Sequence, residues 1–318
     1  MARPRVNRQR FAEYALVLAT LVEALVFAGV APGFLSVANI LNIAMSVAIT
    51  GILAVGMTAV IVSGGIDLSV GSVVALTGVS AAIAAAHGVP APLVLLVALG
   101  IGLATGAVSG ALVAWARVPS FVATLAMLTA ARGLAFIVSD GRSIGGLPSW
   151  FAVLGRSVVL GVPGPVILMA AVMLLGALVL TQTAFGRHIY AVGGNPVASW
   201  LAGIRVRRVT FAIYALNGVL AGLAGLTLAS RLGAGVPNAG NQYELDVIAA
   251  VVVGGTSLTG GRGTIAGTLW GTLFIGVLTN GLNLANVDPY VQKIALGVVI
   301  VAAAVADQLS RRWGEAAA

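Results

Sequence analysis

The chain holds 318 residues, of which 59% are hydrophobic and 8% charged, at a mean hydropathy of +1.07. So few charges cannot coat a soluble domain, and the chain reads as a polytopic membrane protein. It has no cysteine and only two histidines, His87 and His188, which excludes a disulfide frame, a thiolate centre and a His-rich metal site; no metal and no cofactor are expected.

A helix needs roughly 20 apolar residues to cross about 30 Å of hydrocarbon. Taken in chain order, apolar runs predict spans near residues 12–30, 40–63, 70–87, 92–115, 120–139, 164–183, 209–230, 244–259, 264–283 and 290–309. The predicted fold class is therefore an all-α polytopic membrane protein of about ten transmembrane helices, forming a single domain over residues 1–318. The tail of residues 1–11 is basic; the apolar run after it is too long for a signal-peptide core and lacks a small-residue cleavage site, so it reads as an uncleaved anchor. With the N-terminus inside, this span set places Arg3, Arg5, Arg8, Arg10, Arg117, Arg187, Arg205, Arg207, Arg208, Arg262, Arg311 and Arg312 on the cytoplasmic side. Only Arg142, Arg156 and Arg231 fall outside, and both termini are cytoplasmic. Topology thus explains the net charge of +8; lipid is the surrounding partner and no nucleic acid is expected. The longest outside loop, about residues 140–163, offers a surface to an external partner.

Between the second and third spans lies Gly64-Gly65-Ile66-Asp67-Leu68-Ser69-Val70-Gly71. The glycines break the helix, Asp67 and Ser69 are placed to cap the next one, and Gly71 permits close packing. Two readings stay open: a capped re-entry between spans, or a broken helix that presents backbone groups to a solute on a translocation path. Asn280 and Asn283 share a face of a later span, and either bond to a neighbouring helix or line that path. Charge within a membrane usually faces a cavity or a partner, which singles out Glu23 and Arg132. Glu244 and Asp246 suit the first turn of the helix they precede, and Glu13 and Asp307 lie close enough to an interface to reach water. Small-residue pairs such as Gly106-x-x-x-Gly110 and Gly218-x-x-x-Gly222 read as helix packing sites.

The segment of residues 185–209, FGRHIYAVGGNPVASWLAGIRVRRV, interrupts the apolar blocks with polar and basic residues. Asn195-Pro196 is a helix start signal, followed by Val197, Trp200, Leu201 and Ile204 at helical spacing. Gly193 and Gly194 allow a sharp approach, and Arg205, Arg207 and Arg208 follow. A short amphipathic helix on the cytoplasmic side is predicted here as a docking surface. Farther on, Gly254-Gly255-Thr256-Ser257-Leu258-Thr259-Gly260-Gly261 repeats the pattern GG-x-x-L-[ST]-x-G of residues 64–71, a hint of duplication. The same stretch lacks the Lys-Ser/Thr ending of a phosphate loop, and Lys293 is the only lysine, so any ATP must be bound by another polypeptide.

Four stretches carry a family resemblance: AVGMTAVIVSGGIDLSVGSVVALTG (54–78), GRHIYAVGGNPVASWLAGI (186–204), YELDVIAAVVVGGTSLTGGRGTIAGTL (243–269) and NGLNL (280–284). Colinear over essentially the whole chain, they resemble the permease subunits of ribose-type ABC sugar importers. The resemblance implies a homodimer in the bacterial inner membrane, a periplasmic sugar-binding protein outside and an ABC ATPase subunit inside. It further implies that Arg187, Gly193, Gly194, Asn195, Pro196, Val197, Ala198, Leu201 and Gly203 belong to the segment that couples to the ATPase. The mechanism implied is alternating access without covalent chemistry, for a monosaccharide of the ribose or xylose class. Gly64, Gly65, Asp67, Ser69, Asn280 and Asn283 are the translocation-path candidates. The alternative from another class is an ion-coupled secondary transporter; it would want several intramembrane carboxylates and leaves residues 185–209 without a purpose. An intramembrane enzyme lacks a credible set of catalytic groups.

Overall fold

The computed structural model describes residues 6–315. Five helices open the chain: α1 (Val6–Val30), α2 (Val37–Val62), α3 (Val70–Ala86), α4 (Ala91–Ala114) and α5 (Ser120–Val138). The following loop holds a 3₁₀ turn, the one-turn α6 (Val153–Arg156) and an antiparallel hairpin of β1 (Val158–Val159) and β2 (Val162–Pro163). Then come α7 (Gly164–Gln182), the short α8 (Ala184–Gly194) and α9 (Pro196–Leu201), and α10 (Val206–Leu232), α11 (Tyr243–Val253), α12 (Ile265–Leu284) and α13 (Pro289–Glu315). Helices α2, α4, α5, α7, α10 and α12 are long and apolar enough to cross a membrane, whereas the apolar parts of α1, α3 and α13 are shorter. The fold is an all-α, multi-pass membrane architecture. Residues 1–5 of the basic tail lie outside the described residues, and residues 6–11 already belong to α1.

α2 is the central helix. Ser36 caps it by accepting the Asn39 N–H at 3.3 Å, and it closes on Gly64, whose left-handed φ of +85° lets the Gly65 N–H reach back to the Val60 carbonyl. Ala48, Ile52, Leu53, Ala54, Met57, Val60, Ile61 and Val62 are wholly buried, because α7, α10, α11 and α12 surround this helix. A helix apolar on every side is stable only inside such a ring. The outer helices instead turn Leu18, Leu21 and Leu25 of α1, and Ile294, Val298 and Val301 of α13, away from the bundle, as a surface facing lipid or a second subunit requires.

Backbone contact joins α4 to α10. A methyl group at Gly102 would collide with the Gly218 carbonyl, one at Gly106 with the Tyr214 carbonyl, and one at Gly218 with the Gly102 carbonyl. Among apolar neighbours no hydrophobic gain drives helices together, so van der Waals contact between small residues does. The packing predicted from the Gly-x-x-x-Gly pairs is therefore the observed one.

The predicted span near residues 244–259 is corrected. α11 has 11 residues, ending where Gly254 closes the helix and Gly255 turns at φ +84°. Ahead of it, residues 233–242 are non-helical. They leave α10 through Gly233 at φ +72°, pair Gly235 with Ile144 (2.8 and 2.9 Å), and run antiparallel along α3. At the start of that run a methyl on Gly235 would press on Val79, and at its end one on Gly240 would stand 2.6 Å from the Gly71 carbonyl. Glu244 and Asp246 sit within the first turn of α11 rather than before it.

Replacing Gly218 with leucine should force α4 and α10 apart and cost at least about 2 kcal/mol, because both partners in the collision are backbone. Gly100→Leu, on the same α4 but with open space around it, should change stability by less than about 0.5 kcal/mol. Thermal unfolding of the purified chain in detergent measures both.

Candidate functional site

The region of residues 185–209 is two capped helices. Thr183 accepts the Gly186 N–H at 3.0 Å and starts α8, which buries Ile189 and Val192 against the core. Tyr190 donates to the Gly263 carbonyl at 2.8 Å, and burial pushes its phenol above the usual range. The sharp approach expected at Gly193 and Gly194 is not made there; both are helical and form the last turn of α8. The break comes one residue later, at Asn195, whose extended backbone (φ −161°, ψ 103°) leaves the helix while its Oδ1 accepts the Ala198 N–H at 2.9 Å. Pro196 takes the first helical position. α9 then ends in a complete Schellman motif, Ile204 N–H to the Ser199 carbonyl at 3.0 Å and Gly203 N–H to the Trp200 carbonyl at 2.9 Å, with Gly203 at φ +85°. Ile204 thus falls outside the helix, at the motif rather than on the apolar face.

Three segments meet at the end of α8, just ahead of α9. A methyl at Gly193 would overlap the Val62 carbonyl at the end of α2; the Gly261 N–H donates to that same carbonyl at 2.8 Å; and Gly260 approaches both Gly193 and Gly64. The two GG-x-x-L-[ST]-x-G stretches, 190 positions apart in sequence, therefore converge on the end of α8. Each follows one helix and precedes the next, so the repeated pattern marks equivalent turns. Sequence alone shows the repeat but not that it packs at the end of α8.

From here α9 presents an unpartnered apolar face. Val197 is 66% exposed, Trp200 68% and Leu201 73%, while Ser199 is buried. Beside them opens a cavity of about 880 Å³ between the end of α4, α9 and the start of α10, lined by Trp115, Arg117, Arg205, Arg207 and Arg208 among others. Arg187 is also exposed, on α8. Guanidinium groups thus stand on one side of an exposed apolar helix face. Trp115 and Arg117 belong to this wall and escape a sequence reading, since they lie some 80 residues upstream at the end of another helix.

The path candidates occupy other places. Gly64 is exposed, whereas a side chain at Gly65 would run into the Tyr214 hydroxyl. Asp67 and Ser69 are buried together: Asp67 Oδ1 accepts the Ser69 N–H at 2.8 Å and the Ser69 hydroxyl at 2.6 Å, and its Oδ2 accepts Asn217 Nδ2 of α10 at 2.8 Å. The expected capping of α3 by these two side chains is corrected, because Ser69 forms no side-chain cap and Asp67 spends its oxygens on an Asx-type turn and on α10. Asn280 forms a reciprocal amide pair with Asn39 of α2, both bonds at 2.9 Å. Asn283 accepts from Gln292 of α13 at 2.9 Å. Arg132, on α5, donates to the carbonyls of Pro237 and Ala239, each at 2.9 Å, and so holds the non-helical run ahead of α11. Glu23 has neither carboxylate oxygen bonded among the described residues.

The family described as the permease component of the branched-chain amino acid transport system matches residues 39–304. The chain belongs to this permease family. Its relatives include the ribose import permease protein of Haemophilus influenzae, 48% identical over 280 residues and 87% of each chain. The ribose import permease protein of Escherichia coli K12 is 44% identical over 302 residues and 93% of each chain. The xylose transport system permease protein of the same organism is 39% identical, with 96% of this chain and 93% of that one aligned. No solved structure matches. As a permease of the ribose type, the chain is a transport component rather than a catalytic one.

Asp67→Ala should leave three buried donors without an acceptor, each worth about 1–3 kcal/mol. Asp67→Asn should cost far less, since the Oδ1 of Asn217, unbonded among the described residues, can turn to accept the new amide. Unfolding midpoints of the two variants in detergent should differ accordingly.

Proposed function

We propose that this chain is the membrane subunit of an ATP-driven importer, that two copies form the translocation unit, and that the solute is a monosaccharide of the ribose or xylose class. The observation that carries the proposal is the exposed face of α9, fixed at both ends by side-chain and backbone caps and joined to the end of the central helix α2 through the last turn of α8. A helix rigidly joined to the centre of a bundle transmits a push; one on a loose loop does not. The occupant of that face is an ABC ATPase subunit, whose groove would cover Val197, Trp200 and Leu201 and whose acidic rim would meet the arginines. A sugar-binding protein delivers the solute at the opposite end of the bundle, and the setting is the bacterial inner membrane. The names of the relatives, ribose import and xylose transport permeases aligned over nearly their full length, support the sugar class. An ion-coupled transporter is disfavoured because it has no use for such a face.

Leu201→Asp and Ala198→Arg place charge on the covered face, which must be desolvated on docking. Both should leave the chain folded and membrane-inserted while reducing ATPase copurification and sugar uptake at least tenfold. Ser143→Arg, on the exposed far loop, should leave ATPase association unchanged. Wild-type association and uptake in the α9 variants would refute the coupling role.

Orientation follows from the same picture. Because the chain has no cysteine, Ala202→Cys beside α9 and Ser149→Cys in the far loop report separately. An impermeant maleimide applied to intact cells should label Cys at position 149 only, and position 202 should react only in inverted vesicles.

A further inference from the structure

We propose that the non-helical run of residues 235–242 lines the aqueous path of the transported solute, with the side-chain amides of Asn238 and Asn241 as its hydrogen-bonding groups. The inference rests on the reading of this chain as a solute permease and adds the residues that contact the solute. Its first support is depth. Gly240 lies against Gly71, which is fifteen residues from the far end of α3 at Ala86, or about 22 Å along the axis. Arg132, which grips the Pro237 and Ala239 carbonyls, stands twelve residues into the 19-residue α5, about 18 Å from its start. Both measures place the run well inside the bundle rather than on a surface loop. Non-helical backbone at such depth persists only where protein buries it or where it borders water.

The second support is what the run exposes. Asn238 and Asn241 are exposed, and among the described residues neither side-chain amide bonds to anything in the chain. Their neighbours are fully engaged by contrast: Pro237 and Gly240 are buried, and Gln242 accepts from the Lys293 ammonium. Two unpaired amides turned toward hydrocarbon would each cost several kcal/mol, so the space they face holds water. Each amide offers a carbonyl acceptor and two N–H donors, which match the alternating donor and acceptor character of sugar hydroxyls without attracting a charged solute. Arg132 acts as a positioning residue: its guanidinium donates to two backbone carbonyls of the run and so fixes the backbone that carries the amides.

The absence of cysteine permits a direct test in the assembled importer. Asn241→Cys and Asn238→Cys are each treated with the anionic, membrane-impermeant reagent sulfonatoethyl methanethiosulfonate, and uptake of ribose and xylose is measured before and after. Reaction at both positions, with uptake falling at least tenfold on modification and labelling slowed by loaded sugar-binding protein, is the expected result. Reaction only with a membrane-permeant maleimide, or only after unfolding, would place the amides against lipid or a sealed subunit contact and overturn the proposal. Should one cysteine variant fail to fold, the other carries the test. If the unmodified complex imports neither sugar while position 241 reacts, the aqueous path stands and the sugar reading falls.

Discussion

The carbonyl of Val62 is the point on which the rest of the molecule depends. It ends the central helix, accepts the Gly261 N–H, and lies so close to Gly193 that no side chain fits between them. Three stretches of backbone from distant parts of the sequence are thus pressed together with no side chains as cushion. Close-packed interiors deform little, so displacement of α8 and α9 must reach α2 and the turn before α12. Since α2 touches α7, α10, α11 and α12, whatever moves the short helices moves the bundle.

The polar groups inside the bundle follow a consistent rule. Asn39 with Asn280, Thr58 with Thr268 at 2.7 Å, and Asp67 with Asn217 each join segments far apart in sequence. In a nonpolar surround such pairs fix which helix faces which, where apolar contact alone would tolerate sliding. Arg132 extends the rule to backbone, since its guanidinium satisfies two carbonyls that a helix would otherwise have paired. The run ahead of α11 is therefore an ordered, non-helical element in the interior. That explains why its two unbonded amides stand out.

The amino-acid sequence alone determined the class of solvent, the positions of nearly all the long helices, and the start of α9 at Asn195-Pro196, because these rest on local composition and on capping geometry within a few residues. It also carried the family, through colinear motifs over the whole chain. Tertiary structure alone decided what depends on contacts between distant residues. The sequence carried one span from about residue 244 to 259; that α11 stops at Gly254, and that a non-helical run precedes it inside the bundle, appeared only where Gly240 meets Gly71 and Arg132 reaches Pro237. That Gly193 lies in the last turn of a helix, pressed on the Val62 carbonyl 131 positions earlier in sequence, is likewise visible only in the fold. Asp67, from sequence a cap or a path residue, and Asn280, from sequence a packing or a path residue, bond to Asn217 and Asn39, partners that only the fold supplies, for what a polar side chain faces in a membrane is a property of the fold.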